Sequence, residues 1–205
     1  MNPPAVRSRL ARRTRAAAAA GAPPLPLALC AAVALAAAAA VPPAWALDRG
    51  ADGFYHTGSG IRVKTVAFIN VNVYEIHHYM KELPPAKTKA AVIDMDVDKK
   101  IGFKMLRDVD TDKIKNAFRE GYERNGYTNT AKIDKLLSAF SGDEMTEGHW
   151  TSIVYSAATK KTTVTVQGGG TATVDGIDFM KGTWSIWLGK FDQPKLGDAL
   201  IGLIP

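Results

Sequence analysis

Cysteine is almost absent from this chain: Cys30 is the only one among 205 residues. It lies in an alanine-rich stretch near the N-terminus, before the part of the chain that could form a folded domain. The rest of the chain therefore has no disulfide and no thiol nucleophile, which excludes a disulfide-stabilised fold and Cys/His catalysis there. Its stability has to come from a packed hydrophobic core.

Charge is also missing over a long segment near the N-terminus. Five arginines lie between Arg7 and Arg15, and no charged residue follows from 16 to 47. This segment contains an apolar run from Leu25 to Val41, and Ala44-Trp45-Ala46 places small residues at the two positions that signal peptidases read. We therefore expect residues 1–46 to be a signal peptide, and the protein to be exported to the periplasm or secreted. The alternative is an uncleaved membrane anchor, since the run approaches the length of a spanning helix.

The positive net charge of the chain comes mainly from the predicted signal peptide. The formal net charge is +6, but the signal peptide holds five of the 26 Lys and Arg and none of the 20 Asp and Glu. The remaining 21 basic and 20 acidic residues nearly balance. A nearly neutral domain has no electrostatic reason to bind nucleic acid, so we expect no such partner. We predict that 47–205 forms a single domain without stable membrane insertion after signal cleavage, since no Pro/Gly/Ser-rich linker divides it.

Hydrophobic periodicity predicts strands, then helices, then strands and helices again. Ile61 to Ile76 alternates between two sets of side chains, which predicts one long strand. Further strands are predicted at 91–97, 101–106, 150–155, 162–167 and 171–174, and helices at 110–125, 129–140, 178–189 and 194–203. This order fits an α+β fold in which helices cover one side of an antiparallel sheet.

Residue types that bind metals are present, but their spacing does not suit a metal site. Asp94, Asp96 and Asp98 resemble the start of a calcium loop, but the glycine and the final carboxylate of that loop are missing. His77 and His78 are adjacent in sequence, so they should point to opposite faces of a strand. We therefore expect no metal and no cofactor.

Arg62 is the clearest candidate for ligand binding. It follows Gly58-Ser59-Gly60, which lacks the third glycine of a dinucleotide-binding loop and which we predict to be a turn before the strand. A guanidinium in an apolar cleft can hold a carboxylate or an oxyanion through two parallel hydrogen bonds. Alternatively, its stem covers the sheet and its head is solvated. These residues by themselves favour neither interpretation.

Four short motifs of the chain, taken in this order, form a recognisable set. They are Gly58-x-Gly60-x-Arg62, Phe68-x-x-x-x-Val73-Tyr74, the helix start Asp110-Thr111-Asp112-Lys113-Ile114, and Leu188-Gly189 followed by Pro194-x-Leu196-x-x-x-Leu200. Together they resemble the chalcone isomerase superfamily, and more closely its bacterial exported chalcone isomerase-like members. The similarity runs from about Asp52 to Leu203. It implies an open-faced β-sandwich, which is a large antiparallel sheet with a helical layer on it and a ligand cleft between the two.

The resemblance also implies a role for the arginine. In plant enzymes of the superfamily, an arginine after the glycine turn stabilises the substrate oxyanion, while hydroxyl and amide groups polarise the ketone for ring closure. Arg62 matches that arginine, but the positions of the other groups carry Ile69, Asp110, Ala117 and, near the C-terminal end, Ile186. One preorganised donor can account for roughly 3 kcal/mol of barrier lowering. We therefore expect no catalytic residues in this chain.

The function that the resemblance implies is binding. Superfamily members without the polarising groups include fatty-acid-binding proteins, in which the arginine holds the carboxylate head. We therefore expect an exported, non-catalytic binder of a small apolar or amphipathic ligand such as a fatty acid, with ligand-binding residues Arg62, Phe68, Asn70 and Tyr74.

Two other functions stay open on the sequence. One is an isomerase or intramolecular lyase of unknown substrate that uses Arg62 with a hydroxyl such as that of Tyr74. The other is a structural or partner-binding envelope protein, which exposed tryptophans in the C-terminal tail would favour. The sequence does not determine the oligomeric state.

Overall fold

The computed structural model describes residues 47–205, so the predicted signal peptide at 1–46 lies outside the described residues. The described part of the chain forms eight strands and five helices. The strands are Tyr55–Val66 (β1), Ile69–Met80 (β2), Lys99–Met105 (β3), Val109–Asp110 (β4), Glu144–Met145 (β5), Trp150–Ser156 (β6), Lys161–Val166 (β7) and Thr171–Asp175 (β8). The helices are Lys89–Asp94 (α1), Thr111–Arg124 (α2), Thr130–Leu137 (α3), Ile177–Leu188 (α4) and Pro194–Leu200 (α5).

Six of the strands form one antiparallel sheet in the order β1-β2-β3-β6-β7-β8. β4 and β5 pair separately. Along β3, buried residues alternate with partly exposed ones, because successive side chains of a strand point to opposite faces. One face of the sheet packs under the helices, while the other carries exposed side chains such as Trp150. The predicted α+β fold with one covered face is confirmed.

The first two strands form a hairpin, and the prediction of one long strand from Ile61 to Ile76 is wrong. The chain turns at Ala67 and Phe68, whose φ angles are +46° and +70°. A tight two-residue hairpin turn of this kind usually contains Gly, Asn or Asp, because those residues tolerate positive φ. Neither turn residue is of these types, so the alternating pattern contained no signal that the chain reverses there.

The strand predicted at 91–97 is also wrong, because Lys89–Asp94 forms α1 instead. Lys99, at the start of the next strand, is buried and donates hydrogen bonds from Nζ to three backbone carbonyl oxygens around the C-terminal end of this helix. The last carbonyl groups of a helix have no partner within it. A side chain from the following strand therefore holds the end of α1, and hydrophobic periodicity does not reveal such a contact.

The predicted turn at Gly58-Ser59-Gly60 is likewise wrong, since these residues lie inside β1. An added Cβ atom on Gly58 would lie 2.0 Å from the carbonyl oxygen of Ala199, and one on Gly60 would lie 2.5 Å from Cδ1 of Leu196. Both contacts are with α5. The two glycines therefore let α5 approach the edge strand closely, and Arg62 follows them on the same side of β1.

The four longer helices agree with the sequence predictions to within a few residues. In α4, Trp184 and Trp187 are 0% and 2% exposed. These tryptophans belong to the core. The exposed tryptophans that would have favoured a partner-binding envelope protein are therefore not found in α4. Between residues 47 and 205, no helix combines the length and the apolar character needed to cross a membrane.

Candidate functional site

A cleft of about 1050 Å³ lies among the β1–β2 hairpin, α2, α4 and the loop that follows α4. Charged side chains contribute to its lining, but apolar side chains supply much of its wall: Val71, Val73, Ile114, Ala117, Phe118, Ile186 and Trp187. A concave site that combines an apolar wall with a few polar groups is the usual form of a small-molecule binding site. This cleft is therefore the candidate functional site.

A β-bulge in the hairpin shapes one wall of the cleft. Arg62 pairs with Tyr74 whereas Val63 pairs with Asn72, so Val73 is an extra residue on β2. Residues of a regular strand alternate between faces, but a bulge interrupts the alternation. Val73 and Tyr74 therefore both line the cleft, and Tyr74 lies directly across from Arg62.

The guanidinium of Arg62 has three neighbours from the loop between α4 and α5. Its Nη2 donates to Oδ2 of Asp192 at 2.8 Å, and its Nη1 donates to Oε1 of Gln193 at 3.3 Å. Its Cζ lies 4.6 Å from the centre of the Phe191 ring, which is the geometry of a cation–π contact. The Arg62 side chain is only 12% exposed. Its guanidinium is thus enclosed rather than solvated.

Asp192 is an acidic partner that the sequence analysis did not identify. Its side chain is 40% exposed and also lies 4.0 Å from Nζ of Lys64. Partial burial alone would raise the pKa of its carboxyl, but the hydrogen bond and charge of Arg62, with the charge of Lys64, hold that pKa below its usual value. Asp192 is therefore ionised at neutral pH, and it offsets the positive charge of Arg62. No local pattern reveals this pair, because 130 residues separate its members.

Tyr74 presents a hydroxyl group beside Arg62. Its oxygen accepts a hydrogen bond from Nε1 of Trp187 at 2.9 Å, and its ring lies 5.0 Å from that of Phe103. Burial raises the pKa of the hydroxyl, so the group is protonated at neutral pH. Because Trp187 can only donate, the hydroxyl hydrogen of Tyr74 remains available to another acceptor.

The other two predicted ligand residues lie elsewhere in the hairpin. Phe68 is at the tip, is 101% exposed and does not line the cleft. Asn70 lines an adjoining polar groove of about 530 Å³, where its Oδ1 accepts a hydrogen bond from Thr65. The chain reverses between Arg62 and Tyr74, so even-numbered residues that one continuous strand would have placed on a single face are divided between two strands. The structure brings Arg62 and Tyr74 together in the cleft, and it leaves Phe68 and Asn70 outside it.

The positions that the family resemblance matches to polarising groups all line this cleft: Ile69, Asp110, Ala117 and Ile186. Three of these side chains are apolar. The fourth, Asp110, caps α2 by accepting hydrogen bonds from the backbone N–H groups of Asp112 and Lys113. None of the four is a hydroxyl or an amide, so the cleft lacks those groups at the matched positions.

The two adjacent histidines point to opposite sides of the sheet. His77 is on the open face, where its Nε2 lies 3.2 Å from Oε1 of Glu75. His78 points into the core, where its Nε2 accepts a hydrogen bond from Nε1 of Trp184 at 2.9 Å. Among residues 47–205, no group of three histidine, cysteine or acidic side chains could hold a metal ion.

Comparisons with known proteins bear on family and fold. The model of a family described as chalcone isomerase-like matches residues 39–202. Among solved structures, the crystal structure of a fatty-acid binding protein from Arabidopsis thaliana is similar, with a TM-score of 0.62 and 16% sequence identity. The match covers 75% of this chain and 87% of that one, and at this identity it shows a shared fold. No curated protein matches this chain. Since the family model spans most of its length, the chain belongs to the chalcone isomerase-like family.

Proposed function

We propose that this protein is a non-catalytic binder of a small, largely apolar, anionic ligand such as a fatty acid. One observation carries the proposal: a largely apolar cleft of about 1050 Å³ has the enclosed guanidinium of Arg62 in its wall. The apolar wall suits a hydrocarbon tail, and the guanidinium suits a carboxylate head. The similarity to a structure described as a fatty-acid binding protein supports the same proposal.

The chemistry of the cleft wall favours binding over catalysis. Ring closure of a chalcone requires hydrogen-bond donors that polarise the ketone, and each such donor can contribute roughly 3 kcal/mol. The matched positions in this cleft carry three apolar side chains and an aspartate that caps a helix. Binding of an amphipathic ligand needs only an apolar wall and a cation, both of which are present.

Arg62→Met should weaken the binding of lauric acid by at least about tenfold. The ligand carboxylate would lose a charge-assisted hydrogen bond, whose net contribution is roughly 1.5 to 3 kcal/mol. Isothermal titration calorimetry on the purified domain measures the change. Arg119→Met is a matched control, because Arg119 also pairs with an aspartate, Asp134 at 3.1 Å, but does not line the cleft. If Arg62→Met and Arg119→Met bind lauric acid as tightly as the wild type, Arg62 is not the anchor.

We also propose that the protein acts outside the cytoplasm, in the periplasm or after secretion. The proposal is supported by the arginines before residue 16, the uncharged apolar run that follows them and the small residues Ala44 and Ala46. N-terminal sequencing of the protein from a periplasmic extract or from culture medium should give a start near Leu47. A full-length chain recovered from the membrane fraction would instead support the uncleaved anchor.

A further inference from the structure

The loop between α4 and α5 is fastened at both ends by side-chain amides. Asn125 accepts a hydrogen bond from the N–H of Lys190 at 2.7 Å and donates to its carbonyl oxygen at 3.2 Å. Gln193 accepts from a backbone N–H of β1 at 2.9 Å and donates to a backbone carbonyl of the same strand at 2.9 Å. Phe191 and Asp192 are the two residues between these contacts. Their backbone is therefore held in place.

This fastened segment presents a carboxylate to the same guanidinium that the proposed function assigns to the ligand. Oδ2 of Asp192 lies 2.8 Å from Nη2 of Arg62, and the ring of Phe191 covers the guanidinium at 4.6 Å. With 12% of its side chain exposed, Arg62 has little free surface for a second carboxylate. A ligand carboxylate that approaches along the cleft therefore meets the negative charge of Asp192.

The Asp192 carboxylate is held less firmly than its backbone. Its side chain is 40% exposed, and ion pairs that water can reach contribute little net stability. Rotation about its two side-chain bonds is enough to move the carboxylate away from Arg62 while the amide contacts on either side stay intact. Nζ of Lys64, 4.0 Å away on a side chain that is 58% exposed, offers a second cation nearby.

We propose that Asp192 competes with the ligand carboxylate for Arg62 and thereby sets the affinity and selectivity of the cleft for anions. This inference rests on the proposed function. An incoming carboxylate takes the position of the Asp192 carboxylate on the guanidinium, and Asp192 turns toward Lys64 and solvent. A neutral ligand with the same tail leaves the ion pair intact, so its affinity does not depend on the charge at position 192. If Asp192 instead orients Arg62 for the ligand, its removal has the opposite effect on anion binding.

Asp192→Asn tests the competition, because asparagine keeps the size of the side chain and removes its charge. We expect lauric acid to bind this variant about tenfold more tightly than the wild type at neutral pH, because a like charge beside the head group is gone. Lauryl alcohol should bind both proteins equally, as measured by the same calorimetry. Asp198→Asn is the matched control: Asp198 lies in α5 and pairs with Lys89 at 2.7 Å, but it does not line the cleft. It should change neither affinity.

Three outcomes of this experiment would overturn the proposed competition between Asp192 and the ligand carboxylate. Equal or weaker binding of lauric acid to Asp192→Asn overturns the competition and leaves the proposed binding function intact. Tighter binding of both probes also overturns it, because the variant would then open the cleft in general. If the wild type and the variants bind neither probe, the proposed function fails and the competition fails with it.

Discussion

Gly58→Ala should lower the free energy of unfolding by about 3 kcal/mol or more. The added Cβ would lie 2.0 Å from the carbonyl oxygen of Ala199 and 2.7 Å from the carbonyl carbon of Leu200, which are backbone atoms of α5 and its C-terminal end. A clash with backbone cannot be relieved by a side-chain rotation, and overpacking of a well-filled site already costs about 1 to 3 kcal/mol. The shift of α5 would also strain the hydrogen bond from Thr57 to the carbonyl oxygen of Leu200, which is 3.0 Å long. Urea denaturation followed by tryptophan fluorescence measures the loss.

Gly102→Ala is the matched control for this prediction. Gly102 also lies in a strand, but an added Cβ there would meet its nearest neighbours, Trp150 and Thr151, at 3.8 and 3.9 Å. These are ordinary contacts, so this alanine should not destabilise the fold. Because it reduces the backbone freedom of the unfolded chain, it should raise the free energy of unfolding by up to about 1 kcal/mol. Equal effects of the two alanines would show that close approach of α5 is not the reason for glycine at position 58.

The fold should lose stability in mild acid because of His78. Its Nε2 accepts a hydrogen bond from the indole N–H of Trp184, which can only donate. The ring proton is therefore on Nδ1, which faces the hydroxyl oxygen of Thr57. Burial, more than the charge of Lys99, lowers the pKa of His78 from 6.5 to about 3. The native ring stays neutral at pH values where the same ring in the unfolded chain takes up a proton.

The sign and range of this effect follow from the two pKa values. Between pH 6.5 and about 3, the unfolded chain binds one more proton at His78 than the native protein does. The free energy of unfolding therefore falls with falling pH in this range, by about 1.4 kcal/mol per unit from this group. Above pH 6.5 both states are neutral, and the contribution of His78 no longer changes with pH.

Urea titrations between neutral pH and about pH 4 should reveal this slope in the wild type. His78→Gln offers a hydrogen-bond acceptor and donor in a similar place but does not titrate, so its slope should be smaller. The slope that remains reports other groups, such as Asp98, whose pKa the hydrogen bond from Lys81 lowers. An NMR titration of the His78 ring gives an independent measurement on the wild type. A ring that titrates near pH 6.5 would contradict the prediction.

Hydrophobic spacing was enough to predict most of the fold. The helices α2 to α5 and the strands β3, β6, β7 and β8 follow from patterns within each segment. The two main errors come from places where local patterns carry no signal. Ala67-Phe68 turns the chain without a turn-forming residue, and α1 is a six-residue helix whose C-terminal end depends on Lys99 from the next strand.

The candidate site was predicted only in part. Arg62 was identified from its position after the two glycines and again from the family motifs, Tyr74 was identified with those motifs, and both residues line the cleft. Asp192 belongs to none of the motifs, and only the fold brings it beside Arg62. The structure explains the glycine of the motif Leu188-Gly189. A Cβ on Gly189 would lie 2.2 Å from Oδ1 of Asn125, whose amide fastens the loop between α4 and α5. The sequence therefore identified one member of the ion pair but not its partner.

The position of Gln193 also affects how the sheet can associate with other molecules. β1 is one of the two edge strands of the six-stranded sheet, and an edge strand offers unpaired backbone groups to which another chain can add. At this edge, the side-chain amide of Gln193 accepts a hydrogen bond from the N–H of Val63 and donates one to the carbonyl oxygen of Ile61. A foreign strand cannot extend the ladder through these two residues without expelling the amide. The side chain that fastens the loop thus also protects this stretch of the sheet against strand addition and the aggregation that can follow.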